Sequence, residues 1–199
     1  MSSQANPLPP PSCPTEPPAH VAAPLLERLT TRYSSTEDRM RVAGALPDGQ
    51  PVVLWMTQRL LLRLLPRLFR WLEVHGVAPL PGVEADTPAL YCDAIQSFAQ
   101  QAALQQLTPQ PPVDTQKETP QALVESVSMG QSPVRMHLVF RDAGDSLQIG
   151  MSLGVQQLRQ WLIILCRQWR DAQWPPDVWP AWLQDTALPS GHDAPSVTH

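Results

Sequence analysis

One pattern occurs twice in this chain and restricts its fold more than any other feature. "RMRVAGALPDGQPVVLWM" (39–56) sets Met40 and Val42 between Arg39 and Arg41, turns at Asp48-Gly49, and alternates again at Val53 and Trp55. Ninety-six residues on, "RMHLVFRDAGDSLQIGMSL" (135–153) puts Met136 and Leu138 where Met40 and Val42 stood. Gly144-Asp145 then occupies the turn, and Ile149 and Met151 take the places of Val53 and Trp55. Alternation sends every second side chain to one face, and Asp-Gly tolerates the positive φ of a tight turn. Both runs therefore predict β-hairpins.

Each hairpin leads directly into a segment with helical period. In "TQRLLLRLLPRLFRWLEVH" (57–75), at about 100° per residue, Arg59, Arg63, Arg67 and Arg70 share an arc of about 80°. Leu60, Leu61, Leu64, Leu65, Leu68, Trp71 and Leu72 fill the opposite side, with Leu62 and Phe69 at its margin. Thr57 suits the N-cap and Gly76 the position past the C-terminus. Pro66 falls on the arginine side, where the carbonyl its ring leaves free reaches water and the helix bends round a core. Four arginines near mid-helix disfavour a spanning segment, leaving a core helix ahead of a partner-docking or membrane-surface one. The wide apolar arc suits a helix that covers a sheet. In "GVQQLRQWLIILCRQWRDA" (154–172), Leu158, Trp161, Leu162, Ile164 and Leu165 form the apolar face, with Arg159, Arg167 and Arg170 opposite.

A further strand precedes each hairpin, "LLERLTTRY" (25–33) and "QALVESVSM" (121–129). Between the halves, "TPALYCDAIQSFAQQAALQQL" predicts a helix over 87–107, with Thr87 as N-cap and Pro88 at the first helical position. The expected fold is α+β: an antiparallel sheet of about six strands in two hairpin-plus-helix units, about 25–76 and 121–172, related by an approximate two-fold. The 24 prolines of the 199 residues exceed twice the usual share of about 5%. They concentrate in 1–20, in 108–120 and near the C-terminus. Such tracts resist helix and sheet. The expected domain is 21–184, with a Pro-rich linker at 108–120 and disordered tails at 1–20 and 185–199.

The net charge of −4 argues against a chain built mainly to hold nucleic acid. Cys13, Cys92 and Cys166 are scattered and lack a CxxC pattern, so reduced thiols and a cytoplasmic location are expected. Cys92 and Cys166 fall within helical patterns and read as small core residues. No charged-then-apolar leader opens the chain, and no secretory signal is expected. The five histidines show no metal-ligand spacing, and no GxSxG or GxGxxG occurs, so neither metal nor cofactor is expected. His137 is expected to face solvent and His75 to end its helix. Glu37, Asp38 and Asp145 lie in "STEDR" and "RDAGD"; an enzyme here requires them to converge in a pocket, while turn chemistry accounts for them singly.

Five of seven tryptophans fall in the last 39 residues, and "QWPPDVWPAWL" (173–183) interleaves them with proline. The segment is expected to be extended and stiff, with its rings sent to different sides. The rings either fold back into grooves between helices or stand out as aromatic anchors for another protein. The expectation is a non-enzymatic interaction or accessory protein that binds another protein or itself. Arg59, Arg63, Arg67 and Arg70 would meet an acidic surface, and Trp174, Trp179 and Trp182 would anchor the contact. The alternative is a nucleic-acid accessory protein that uses the same arginines for phosphates.

Overall fold

Both hairpins and both amphipathic helices form. The computed structural model describes residues 23–76 and 89–184. In chain order the elements are β1 (Arg28–Ser34), β2 (Arg39–Ala45), β3 (Pro51–Met56), α1 (Gln58–His75) and α2 (Ala89–Gln105). The second half follows with β4 (Gln121–Leu123), β5 (Ser126–Gln131), β6 (Arg135–Arg141), β7 (Gln148–Gly154) and α3 (Val155–Asp171). A 3-10 turn (Pro176–Val178) and the short α4 (Ala181–Gln184) complete it. Thr57 caps α1 by accepting from the Leu60 N–H at 3.2 Å, and Gly154 opens α3. The tails expected at 1–20 and 185–199, and the Thr87 cap, lie outside the described residues.

The fold is α+β, but the strands form two sheets where one was expected. The first has the order β1-β2-β3-β4, the second β5-β6-β7. The β3–β4 pairing is parallel, with Leu54 opposite Ala122, so the first sheet is not wholly antiparallel. The strand expected at 121–129 is shared between the sheets. After β4, the Val124 N–H still donates to Trp55 O, and the next residue, Glu125, already donates to Arg141 O in the second sheet, each at 2.9 Å. The leading strand of the first half behaves alike. Leu25 bridges Gly150 of β7 in parallel, while Glu27 donates to Ala45 O at the start of the β1–β2 ladder. Backbone pairing thus runs in a closed circuit, each half lending the start of its first strand to the other half's third strand. β1 and β5, the end strands of their sheets, each pair with one neighbour only.

The two halves repeat the order of two hairpin strands and a helix, with one correction to the register. Met40 and Met136 correspond at an interval of ninety-six, but the core-facing residues of β3 are Val52, Leu54 and Met56, matching Ile149, Met151 and Leu153 at ninety-seven. Val53 and Trp55 point to the other face. The β6–β7 turn (142–147) has one residue more than the β2–β3 turn (46–50). A one-residue shift exchanges the faces of a strand, so the alignment by position inverted β3. With the interval corrected, the backbone bonds match too. Val53 N donates to Pro120 O at 2.9 Å, and Gly150 N donates to Pro24 O at 2.8 Å.

One apolar core takes alternate residues from both sheets, the buried faces of α1 and α3, and three C-terminal tryptophans. α3 packs on β1 of the opposite half as well as on β7. The 108–120 segment is no free linker. Val113 is buried against Ala43 and Val53 on the outer face of the first sheet, its N–H donating to Thr30 Oγ1 at 2.9 Å, and Arg41 Nη2 donates to Thr115 Oγ1 at 2.6 Å.

The strand exchange can be probed at Gly150. A Cβ there would lie 2.6 Å from Leu25 Cδ2 and 3.4 Å from Ala23 O. Gly150→Val is therefore expected to displace residues 24–26 from β7, at a cost of about 1–3 kcal/mol. Urea unfolding would show it as a lower midpoint, with faster amide exchange at Leu26. An unchanged midpoint would mean that this pairing contributes nothing to stability.

Candidate interaction surface

α1 stands with its oily side against the core and its basic side in solvent. Leu61, Leu64, Leu65, Leu68, Phe69, Trp71 and Leu72 are buried, while Arg59, Arg63, Pro66, Arg67 and Arg70 are exposed. From Arg59 to Arg70, at about 1.5 Å per residue, the row runs about 17 Å. The two ion pairs among the described residues lie elsewhere, Arg39–Glu37 at 3.9 Å and Arg141–Asp145 at 3.7 Å. The four guanidinium groups of α1 therefore have no carboxylate partner among the described residues. Exposed pairs contribute little, so leaving these unpaired costs the fold almost nothing.

The row runs into a groove of about 430 Å³ between the C-terminal half of α1 and β5. Arg67, Arg70, Val74 and His75 line one wall, Met129 and Gln131 the other, and Trp71 the floor. The Trp71 indole donates to Ser132 O at 3.1 Å, and the His75 ring stacks on it with centroids 5.4 Å apart. Leu62, expected at the margin of the apolar arc, is exposed, and so is Val74 on the arginine side of α1. No sequence signal marked the groove, because its walls come from segments more than fifty residues apart.

The C-terminal tryptophans go inward. Trp174, Trp179 and Trp182, expected as partner anchors, are 8%, 3% and 2% exposed, and their rings are not presented to solvent. Nor is their segment extended: its prolines set up the 3-10 turn and α4, which bring the rings to one place. Trp174 and Trp179 meet Trp169 edge-on at 4.8 and 5.7 Å, and Trp182 meets Phe69 of α1 at 6.0 Å. The physical reason is burial area: each indole removes a large apolar surface from water when it folds back.

Arg159, expected on the outer face of α3 with Arg167 and Arg170, is 2% exposed. α2 covers that face with a polar seam. Arg159 Nη1 donates to Gln100 Oε1 at 3.1 Å, and Nη2 donates to Gln96 Oε1 at 2.5 Å and to Gly76 O at 3.3 Å. Its guanidinium lies 5.6 Å from the Trp182 ring, and its Nε lacks a hydrogen-bond partner among the described residues. Burial lowers the group to about 10, so it remains charged at neutral pH, and its acceptors among the described residues are all neutral.

The carboxylates weighed for catalysis sit in two different turns. Asp38 and Asp145 occupy left-handed turn positions at φ 48° and 50°. Asp38 accepts from the Tyr33 hydroxyl at 2.9 Å and from the Trp174 indole at 3.0 Å, Asp145 pairs with Arg141, and Glu37 pairs with Arg39. None of the three lines the α1–β5 groove or the shallower one beside Asp114 and Glu118. His137 is exposed and His75 closes α1. Cys166 is buried, its thiol pushed up to about 11 by desolvation, whereas Cys92 is exposed and is no core residue. Among the described residues, no three His, Cys, Asp or Glu side chains gather as metal ligands would, and no helix is long and apolar enough to cross a membrane. No protein-family model, characterised protein or solved structure matches the chain.

Proposed function

We propose that the chain is a non-enzymatic interaction or accessory protein of the cytoplasm, and that it binds the acidic surface of a partner protein through Arg59, Arg63, Arg67 and Arg70 of α1. One observation carries this reading: four exposed guanidinium groups stand in a row with no carboxylate partner among the described residues, in a chain whose net charge is −4. A fold gains nothing from such a row, whereas carboxylates on a partner can pair with planar guanidinium groups in bidentate fashion. The rest of the surface is acidic in balance, which favours a local protein contact over the broad positive field that nucleic acid attracts.

The test pairs capture with reconstitution. A partner purified from the native host with the wild-type chain is titrated against the Arg59→Ala/Arg63→Ala/Arg67→Ala/Arg70→Ala variant. At about 0.5–1 kcal/mol per lost charge pair, affinity is expected to fall roughly 30-fold or more. The wild-type affinity should also weaken as salt rises. Equal affinity of variant and wild type would end the proposal. Tight, steeply salt-dependent binding of a plain oligonucleotide would replace it with the phosphate reading.

A further inference from the structure

The outer face of the first sheet carries a second group of arginines, on the side of the strands turned away from the core. Strand register sets Arg32 of β1 opposite Arg41 of β2, Arg41 opposite Trp55 of β3, and Trp55 opposite Leu123 of β4. The four residues make one row across the sheet, about 14 Å long at about 4.8 Å per strand. Arg32 and Leu123 are exposed, and Arg41 and Trp55 are half-buried. The chain that crosses this face is itself described, and it borders the row without covering it. Val113 sits one row along, against the facing pair Ala43 and Val53.

The fold gains nothing from this row. Like charges directly opposite on one face of a sheet destabilise it. Neither Arg32 nor Arg41 has a carboxylate partner among the described residues, whereas Arg39, on the same face, takes Glu37 at 3.9 Å. The second half does without such a row. Its register sets Gly130 opposite His137 and His137 opposite Ser152, in the places of Arg32, Arg41 and Trp55.

Arg41 is also held in position. Its Nη2 donates to Thr115 Oγ1 at 2.6 Å, and its guanidinium lies 6.0 Å from the Trp55 ring, whose indole donates to Gln121 Oε1 at 2.9 Å. A guanidinium fixed beforehand loses little freedom on binding. Two cations whose Cβ atoms stand about 5 Å apart are neutralised best by one group with two charges. A phosphate monoester carries about −1.5 to −2 near pH 7, whereas a carboxylate brings a single charge. Beyond the arginines the row turns apolar. Trp55 lies about 7 Å from their midpoint, close to the spacing of alternate residues in an extended peptide, about 6.8 Å. An open sheet face suits a chain laid across it, whereas a free nucleotide is held in a concave pocket.

We propose that this row binds a phosphorylated serine or threonine of a partner protein. The phosphate lies between Arg32 and Arg41, and an apolar side chain two residues away rests on Trp55 and Leu123. The site is independent of the α1 arginines.

The experiment titrates the ¹⁵N-labelled full chain with the phosphoserine peptide Ala-pSer-Ala-Leu-Ala and follows the Trp55 indole and the backbone amides. Saturable shifts are expected at Arg32, Arg41, Trp55 and Leu123. The unphosphorylated peptide should bind more weakly by roughly 10-fold or more. Arg32→Gln and Arg41→His should each raise the dissociation constant roughly 10-fold. Both should melt as wild type does, since the second half folds with Gly130 and His137 in these places. The Arg59→Ala/Arg63→Ala/Arg67→Ala/Arg70→Ala variant should bind the phosphopeptide as wild type does. Absence of saturable shifts at millimolar peptide, equal binding of the unphosphorylated peptide, or undiminished affinity in both arginine variants overturns the site. Loss of binding in the α1 variant moves the phosphate to α1 and overturns the row. Inorganic phosphate that binds as tightly as the peptide overturns a protein as its source. A single-stranded oligonucleotide that binds these residues more tightly than the peptide overturns it in favour of nucleic acid.

Discussion

Truncation of Trp169 to alanine is expected to lower the melting temperature by roughly 10–20 °C, the largest effect of any single side chain here. Trp169 is fully buried, and it is where the second half of the chain is fastened. Trp174 and Trp179 both pack on it edge-on, and its indole donates to Pro175 O at 2.9 Å. Removing a buried indole costs about 3–5 kcal/mol in transfer and cavity terms. The aromatic pairs add about 0.5–1.5 kcal/mol each. Together these approach the whole stability of a typical domain, about 5–15 kcal/mol. Since the ring also positions the turn after α3, Trp174 should lose order with it, and the fluorescence of the C-terminal tryptophans should shift to the red. Trp169→Phe keeps most of the contact and should lose less than half as much. A melting temperature within about 3 °C of wild type for the alanine variant would refute this account of the core.

The second large effect concerns the buried cation. Arg159→Met is expected to cost about 2–3 kcal/mol, because Gln96 Oε1, Gln100 Oε1 and Gly76 O then lose their donor. The triple variant Arg159→Met/Gln96→Leu/Gln100→Leu should recover that loss and exceed wild type, since it removes a desolvated charge together with the polar groups that serve it. The pH dependence carries a definite sign. Burial lowers Arg159 to about 10, so the folded state holds the charge less willingly than the unfolded chain, and wild type gains stability only as pH rises through about 10. Between about pH 5 and 8 the difference between wild type and Arg159→Met should stay constant. Chemical denaturation of the three proteins at two pH values measures both statements. A triple variant no more stable than the single one would show that the seam is held by something other than these three side chains.

The candidate surface was legible where local order wrote it. Arg59, Arg63, Arg67 and Arg70 share an arc because helical geometry repeats every 3.6 residues, and a helix on a sheet must turn one arc outward. The groove was not legible. Met129 read only as a strand residue, and Gln131 lay beyond the expected strand, until β5 was set beside α1. The placing of the tryptophans, in grooves or against a partner, stayed open for a related reason. Interleaved proline does stiffen a segment, but where it points is decided by Trp169 and Phe69, which it meets only after α3 has docked. Arg159 shows the limit from the other side: its arc on α3 is the polar one, yet α2 lies there and offers glutamine acceptors.

What the sequence determined by itself is what depends on neighbours within a few residues: two hairpins, the period of two helices, the cap at Thr57, the outward arginine row, and the likeness of the halves. What the tertiary structure decided is everything that joins distant segments. The parallel pairings of Ala122 with Leu54 and of Leu25 with Gly150, the division of one strand between two sheets, and the burial of Trp174 against Trp169 all belong there. A parallel pair has no connecting turn to announce it, and a residue's fate at an interface depends on what arrives opposite. That information is spread over two segments that become neighbours only when the core closes.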